Sequence, residues 1–112
     1  MSCRIMVTRA AERDLNSAYE YIASALLNPH AADDLLTETE DTISGLSEYP
    51  ERFSLADDPV LKGWGIRFVP VKNYLVFYAV SESDHTVYII RFLYGKRDWI
   101  SVLKQISSSD VP

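Results

Sequence analysis

The sequence predicts a small α+β domain of order β-α-α-β-β-β-α, a mostly antiparallel sheet of about four strands packed against a helix hairpin. Three observations predict it. Two apolar stripes of helical period occupy residues 9–47. Three period-two runs, rich in β-branched and aromatic residues, occupy residues 66–94. With 112 residues, 47% of them hydrophobic and 24% charged, the chain has the ordinary composition of one packed core and too little length for two.

Ile5-Met6-Val7 reads as a first strand, with Cys3 or Arg4 at its start. Thr8 then offers an N-cap hydroxyl. Ala11, Leu15, Ala18, Ile22 and Leu26 (or Ala25) recur at steps of three and four, a helix over about 9–26 with Glu12, Arg13, Asn16 and Glu20 on the opposite side. Asn28-Pro29 starts the next helix: Asn caps well, and Pro at the first helical position has no amide proton to leave unpaired. Ala32, Leu36, Thr39, Ile43 and Leu46 form its stripe, which Leu35 widens, and it ends near Ser47, before Tyr49-Pro50. About two residues join the helices, so they form an antiparallel hairpin.

Residues 49–64 have no periodicity and contain Pro50, Asp57-Asp58-Pro59 and Gly63, an irregular connection of a length that often carries function. Ile66 to Val69 is the second strand, closed by Pro70, and Lys72-Asn73 is a turn. Tyr74 to Val80 is the third, Ser81 to Asp84 a hairpin loop, and Thr86 to Tyr94 the fourth. The fourth alternates Val87, Ile89, Arg91 and Leu93 against Tyr88, Ile90, Phe92 and Tyr94. Both faces of the last two strands are apolar, so they are central, and their second face needs cover from a further element or a partner. Gly95 ends the strand, and Asp98 caps a last helix over about 99–107 with Trp99, Val102, Leu103 and Ile106 on one face. The domain is therefore expected over 1–106, and 107–112 reads as a frayed tail.

The net charge of −5 and pI near 4.9 argue against a nucleic-acid binder. The charge is unevenly divided. Residues 1–58 hold four basic and twelve acidic side chains, a net of −8; residues 59–112 hold seven basic and four acidic, a net of +3. One cysteine excludes an intramolecular disulfide framework and a cysteine-rich zinc site, and fits a reducing, cytoplasmic setting. No apolar run is long enough to span a membrane, and Met1 to Val7 meets charge too early for a signal peptide. His30 and His85 lack metal-ligand spacing, and the four glycines form no phosphate-cradling loop, so neither a metal nor a cofactor is expected.

Tyr74-Leu75-Val76-Phe77-Tyr78-Ala79-Val80, followed by Arg91-Phe92-Leu93-Tyr94-Gly95-Lys96-Arg97-Asp98-Trp99, resembles the RelE/ParE toxins of bacterial type II toxin–antitoxin modules. Ala11 to Leu15, Tyr21-Ile22, Asn28 to Ala32, Ile43 with Leu46 and Pro50, and Gly65 to Arg67 agree in order, so that the resemblance covers roughly residues 4–104. The local motifs look more like the ParE and plasmid-stabilisation branch. The resemblance implies the fold above, growth inhibition, and a cognate antitoxin that wraps over the toxin in a toxin–antitoxin hetero-oligomer. ParE-like members poison DNA gyrase; RelE-like members cut mRNA in the ribosomal A site.

The cutting reaction needs a cation for the charged phosphorane and groups that move protons at the 2′ and 5′ oxygens. If the chain is a ribonuclease, Arg67, Arg91, Tyr94, Lys96 and Arg97 are its candidates. By the resemblance, Leu75 stands where RelE begins a strand motif with arginine, and Leu103 where RelE has a tyrosine. Leu93-Tyr94 stands where YoeB-like relatives have a histidine–tyrosine pair, whereas Lys96 and Arg97 are retained. The chain is therefore expected to lean away from enzymatic action. Two readings stand open for Arg91: it joins Arg67 and Arg97 around a phosphate, or it pairs with an acid on the helix hairpin. Trp64, Tyr94, Trp99 and Leu103 are the candidate partner contacts.

Overall fold

The computed structural model describes residues 2–105. The expected Ile106 contact, the end of the last helix, the domain limit at 106 and the tail over 107–112 lie outside them. Four strands form one sheet in the order β1-β4-β3-β2: β1 Arg4–Val7, β2 Arg67–Val71, β3 Tyr74–Ser81 and β4 Thr86–Tyr94. The meander of β2, β3 and β4 is antiparallel, and β1 lies parallel to β4, with Arg4 opposite Thr86 and Val7 opposite Ile89. No helix among the described residues is long and apolar enough to cross a membrane.

The helix hairpin, α1 Arg9–Glu20 and α2 Pro29–Gly45, covers one face. Both caps are those the sequence offers: the Thr8 hydroxyl accepts from Ala11 N–H, and the Asn28 side chain from Ala31 N–H. Ala11, Ala18, Leu35 and Leu46 meet Val69, Val76, Tyr78, Val87, Ile89 and Phe92 in this first core. Two elements depart from expectation. α1 stops at Glu20, and Tyr21–Ala25 continues as a π-helical turn, whose wider ring is closed by Leu26 N–H on Tyr21 C=O at 3.0 Å. Pro70 sits inside β2 rather than ending it, because β2 is an edge strand and a missing N–H costs no ladder bond there.

The second face is closed by the chain itself. The connection expected to be irregular contains a short helix, α3 Pro59–Gly63, and with the last helix, α4 Trp99–Lys104, it covers β3 and β4. Ala56, Leu61, Ile66 and Leu103 bury Phe77, Ala79, Ile90 and Leu93 in this second core. Trp99 lies 5.2 Å from the Phe77 ring centre and 6.3 Å from that of Phe68. Asp58 joins the two small helices: its Oδ2 accepts from Val60 and Leu61 N–H at the start of α3, and its Oδ1 takes the Lys104 ammonium at 3.1 Å.

One irregularity changes which residues share a face. The register between β3 and β4 slips at Phe77/Tyr78, so Phe77 faces Arg91 while Tyr78 faces Ile89. Val87 and Ile89 therefore share the helix-side core with Phe92, and Ile90 shares the other with Leu93. Strict alternation, which puts Arg91 with Val87, Ile89 and Leu93, does not hold through this bulge.

Leu103→Ala should cost about 2–5 kcal/mol in urea denaturation, the range for emptying a fully buried leucine site. Burial pushes the Asp58 carboxyl up, but the Leu61 amide, Lys104 and the Val60 amide outweigh it and hold the carboxyl below its ordinary range. A carboxyl held low only in the folded chain stabilises it above about pH 4 and loses that contribution as the pH falls through the folded value. Acidification below about pH 4 should therefore loosen α3 from α4, seen as a red shift of Trp99 and Trp64 fluorescence, and Asp58→Asn should remove this step.

Candidate functional site

The π-helical turn carries Tyr21 to the surface, 57% exposed, and Leu27 follows with a left-handed φ of 51°. Across from it, the β2–β3 turn and the end of β4 bring Tyr74 opposite Tyr94. Lys72 takes φ 53° in that turn, and Gly95 N–H donates to Asn73 C=O at 2.8 Å. A β-carbon at Gly95 would sit 3.2 Å from that carbonyl oxygen, so glycine lets the turn close on the strand end.

Between these elements runs a groove of three adjoining clefts of about 570, 280 and 230 Å³, all bordered by Tyr74. The largest is walled by Tyr21, Ile22, Leu26, Asn73 and Tyr94. The second continues past Asp14, Ser17 and Phe92 to Arg97, and the third past Asn28 and Ala31 to Lys72. Tyr74 stacks on Phe92 at 4.9 Å and meets Tyr94 edge-on at 5.6 Å. Burial, then the neighbouring Tyr94 and Tyr21, push the Tyr74 phenol above its ordinary value. It stays protonated at neutral pH and offers a ring face and a hydroxyl, not a base.

A bidentate, mostly buried ion pair borders this groove. The Asp14 carboxylate on α1 accepts two bonds from the Arg91 guanidinium, at 2.6 and 2.9 Å, and a third from the Phe92 backbone N–H at 3.0 Å. Asp14 is 14% and Arg91 20% exposed. The Asp14 hydrogen bond, against the cost of burial, raises the Arg91 guanidinium pKa above its already high ordinary value.

The three arginines do not form one site. Arg91 is committed to Asp14. Arg67 donates to the carbonyls of Phe53 at 2.7 Å and Glu51 at 3.2 Å, from a strand two places away in the sheet, about 10 Å at ordinary strand spacing. Arg97 borders the groove, has no ion-pair partner among the described residues, and shares the second cleft with Tyr94. Lys96 is exposed beside it. Of the candidate partner contacts, Tyr94 is 41% exposed, Trp64 and Trp99 are half-buried against the second core, and Leu103 is fully buried within it.

Sequence reasoning missed Asp14, Tyr21 and Tyr74 as groove residues. Asp14 and Tyr21 lie seven residues, two helical turns, apart on one face, a signal present in the sequence. Tyr74 pairs with Tyr94 across the β3–β4 ladder, which the register alone reveals.

The family model described as the ParE toxin of the type II toxin–antitoxin system parDE matches residues 5–99. Among solved structures the chain is similar to the chromosomal ParDE toxin–antitoxin system of P. aeruginosa, with TM-score 0.68 and 16% identity over 83% of this chain and 96% of that one. It is similar to the toxin–antitoxin complex RelBE2 of Mycobacterium tuberculosis, with TM-score 0.58 and 20% identity over 84% and 99%. It is similar also to an E. coli RelE double arginine-to-alanine mutant in the free state, with TM-score 0.61 and 14% identity over 96% and 100%. At these identities the likeness is one of fold. No curated protein matches the sequence.

Asp14→Ala leaves the Arg91 guanidinium and the Phe92 amide without their acceptor and should cost about 2–4 kcal/mol of stability. Asp14→Asn keeps an acceptor for Phe92 N–H and should cost less. Thermal unfolding of both variants checks the order.

Proposed function

The chain belongs to the ParE toxin family of type II toxin–antitoxin systems, and from this premise we propose that it inhibits its target by binding, with DNA gyrase the leading target and a cognate antitoxin as its neutralising partner. One observation carries this reading over RNA cleavage. Arg91 and Arg67, the cations that a phosphorane would need, are held by Asp14 and by the Glu51 and Phe53 carbonyls, in different parts of the sheet. What remains accessible is an aromatic, largely apolar groove with Arg97 at one end. Such a surface suits recognition of a protein better than bond cleavage.

The antitoxin follows from the family, and the neighbours solved as a ParDE system and a RelBE2 complex support a partner of that kind in a hetero-oligomer. The groove between Tyr21, Tyr74 and Tyr94 is the surface proposed for it. Gyrase inhibition places the action in the cytoplasm, and the pairing with an antitoxin would give the module its role in plasmid stabilisation through growth inhibition. Ribosome-dependent cleavage is the second reading, favoured by Tyr94 and Arg97 sharing one cleft, a proton donor beside a cation.

Purified toxin at micromolar concentration should inhibit DNA supercoiling by gyrase, and the antitoxin encoded beside it should restore supercoiling. Tyr94→Ala and Arg97→Ala should each weaken inhibition by at least about tenfold, the scale of an interface anchor, without lowering the melting temperature. Unchanged supercoiling with active gyrase sinks the gyrase reading. New mRNA 5′ ends at A-site codons in primer extension after induction would replace it with the ribonuclease. Normal growth with soluble toxin present would mark a family member without toxicity.

A further inference from the structure

Exposed apolar side chains gather at the tip of the helix hairpin: Tyr21, Leu26 and Leu27, with Tyr94 across from them. Tyr21, Leu26 and Tyr94 line the groove. Leu27 stands outside it. Its chain neighbours Leu26 and Asn28 border the clefts, whereas the Leu27 side chain, 83% exposed, projects from the rim as a knob.

The backbone makes leucine a costly choice at this position. Leu26 N–H closes on Tyr21 C=O, and Asn28 N–H reaches back to Ile22 C=O at 3.1 Å. This is the close of a Schellman turn, wider by the extra residue of the π-helical turn, and its left-handed position is usually filled by glycine or asparagine. Leu27 fills it with φ 51°. A leucine there carries backbone strain and leaves an apolar side chain in water, two costs that asparagine would avoid.

Charge selects what can meet this knob. Residues 21–32 are the longest run of the chain without Asp, Glu, Lys or Arg. His30 within it lies 3.5 Å from Asp34. The walls of the largest cleft, from Tyr21 to Tyr94, are uncharged too. The whole chain carries −5, so two copies repel over most of their surface and least where knob and cleft lie side by side. An apolar knob next to an apolar cleft is also what a two-fold contact requires, because each copy offers both halves of it.

We propose that, when no other partner is bound, a second copy of the chain occupies the groove: Leu27 of each protomer enters the Tyr21–Tyr74–Tyr94 cleft of the other, and the dimer masks the groove. The largest cleft, about 570 Å³, has room for a leucine side chain. Two such contacts are smaller than the roughly 800 Å² per partner of a stable interface, so the dimer is weak, and a tighter partner displaces it. The masking rests on the groove being the working surface of the toxin, as proposed above; the self-association does not.

Sedimentation equilibrium of the full chain, carried to about 200 µM to reach a contact of this size, should show a reversible monomer–dimer equilibrium. Leu27→Asn, which suits the left-handed position, should weaken the dimer at least about tenfold with the melting temperature unchanged or raised. Leu27→Met keeps an apolar knob and should keep the dimer. Tyr94→Ala removes a cleft wall and should weaken the dimer as Leu27→Asn does. A mixture of Leu27→Asn and Tyr94→Ala proteins should associate more than either alone, because the knob kept by one fits the cleft kept by the other. Should Tyr94→Ala not fold, the contrast between Leu27→Asn and Leu27→Met decides. A monomer throughout, which leaves the groove to a different protein, overturns the proposal. So do dimers that Leu27→Asn leaves intact, or a mixture no more associated than its parts. In gyrase supercoiling, Leu27→Asn should exceed the wild type in potency above the dimerisation midpoint, and a wild type fully potent as a dimer overturns the masking. Failure of both proteins to inhibit counts against gyrase as the target, and sedimentation still decides the contact.

Discussion

β4 is the longest strand and lies inside the sheet, but β1 accompanies only its first half, from Thr86 to Ile89. Beyond Ile89 one edge of β4 has no strand beside it among the described residues, and a backbone N–H left there without an acceptor is costly. Asp14 solves this from α1. Its carboxylate accepts from Phe92 N–H where a neighbouring carbonyl would otherwise stand, and holds the Arg91 guanidinium with its remaining lone pairs. The helix is thereby pinned across the unpaired half of β4. Two turns further on, about 10 Å along the axis, the same helix face delivers Tyr21 above Tyr74. The aromatic groove thus depends on a carboxylate that substitutes for a missing strand.

The uneven charge of the chain has a structural use. Four of the seven basic side chains after residue 58 pair with acids before residue 59: Arg67 with Glu51, Lys72 with Glu38, Arg91 with Asp14 and Lys104 with Asp58. The basic strand half is joined to the acidic helical half by these pairs. They are unequal in worth. The half-exposed Lys72–Glu38 pair contributes little, whereas the bidentate, mostly buried Arg91–Asp14 pair with its added amide bond is the one whose rupture strands buried polar groups.

Regular features were legible because local chemistry decides them. Thr8 and Asn28 cap as their side chains suggest, the two apolar stripes face one core, and β3 and β4 are two-sided because both sides are covered. The misses share a physical character. The bulge at Phe77/Tyr78 is a property of pairing between two strands, so alternation within β4 alone separates Phe92 from Val87 and Ile89, whose core it shares. α3 is five residues long, too short for a periodic signal, and is held by Asp58 and by the second core. The π-helical turn has no glycine or proline to announce it. For the site, Arg97 and Tyr94 were readable from the motif at the strand end, but their neighbours Tyr21, Tyr74 and Asp14 come together only through tertiary packing.

The same packing bears on what kind of surface the groove is. Lys62, Lys96 and Arg97 are the basic residues of the strand half without an acidic partner among the described residues, and of these only Arg97 borders the groove. Nucleic-acid affinity grows with the number of phosphates neutralised, so one unpaired bordering cation, beside a Lys72 already paired with Glu38, on a chain of net charge −5 gives it a weak foothold. Tyr74, stacked on Phe92 and edge-on to Tyr94, by contrast offers area at low conformational cost, and its hydroxyl stays protonated and able to donate. Releasing Arg91 to serve a phosphate would remove the contact that holds α1 over the groove. In this fold, strengthening the cationic site and keeping the aromatic one are opposed demands on one carboxylate, and Asp14 meets the second.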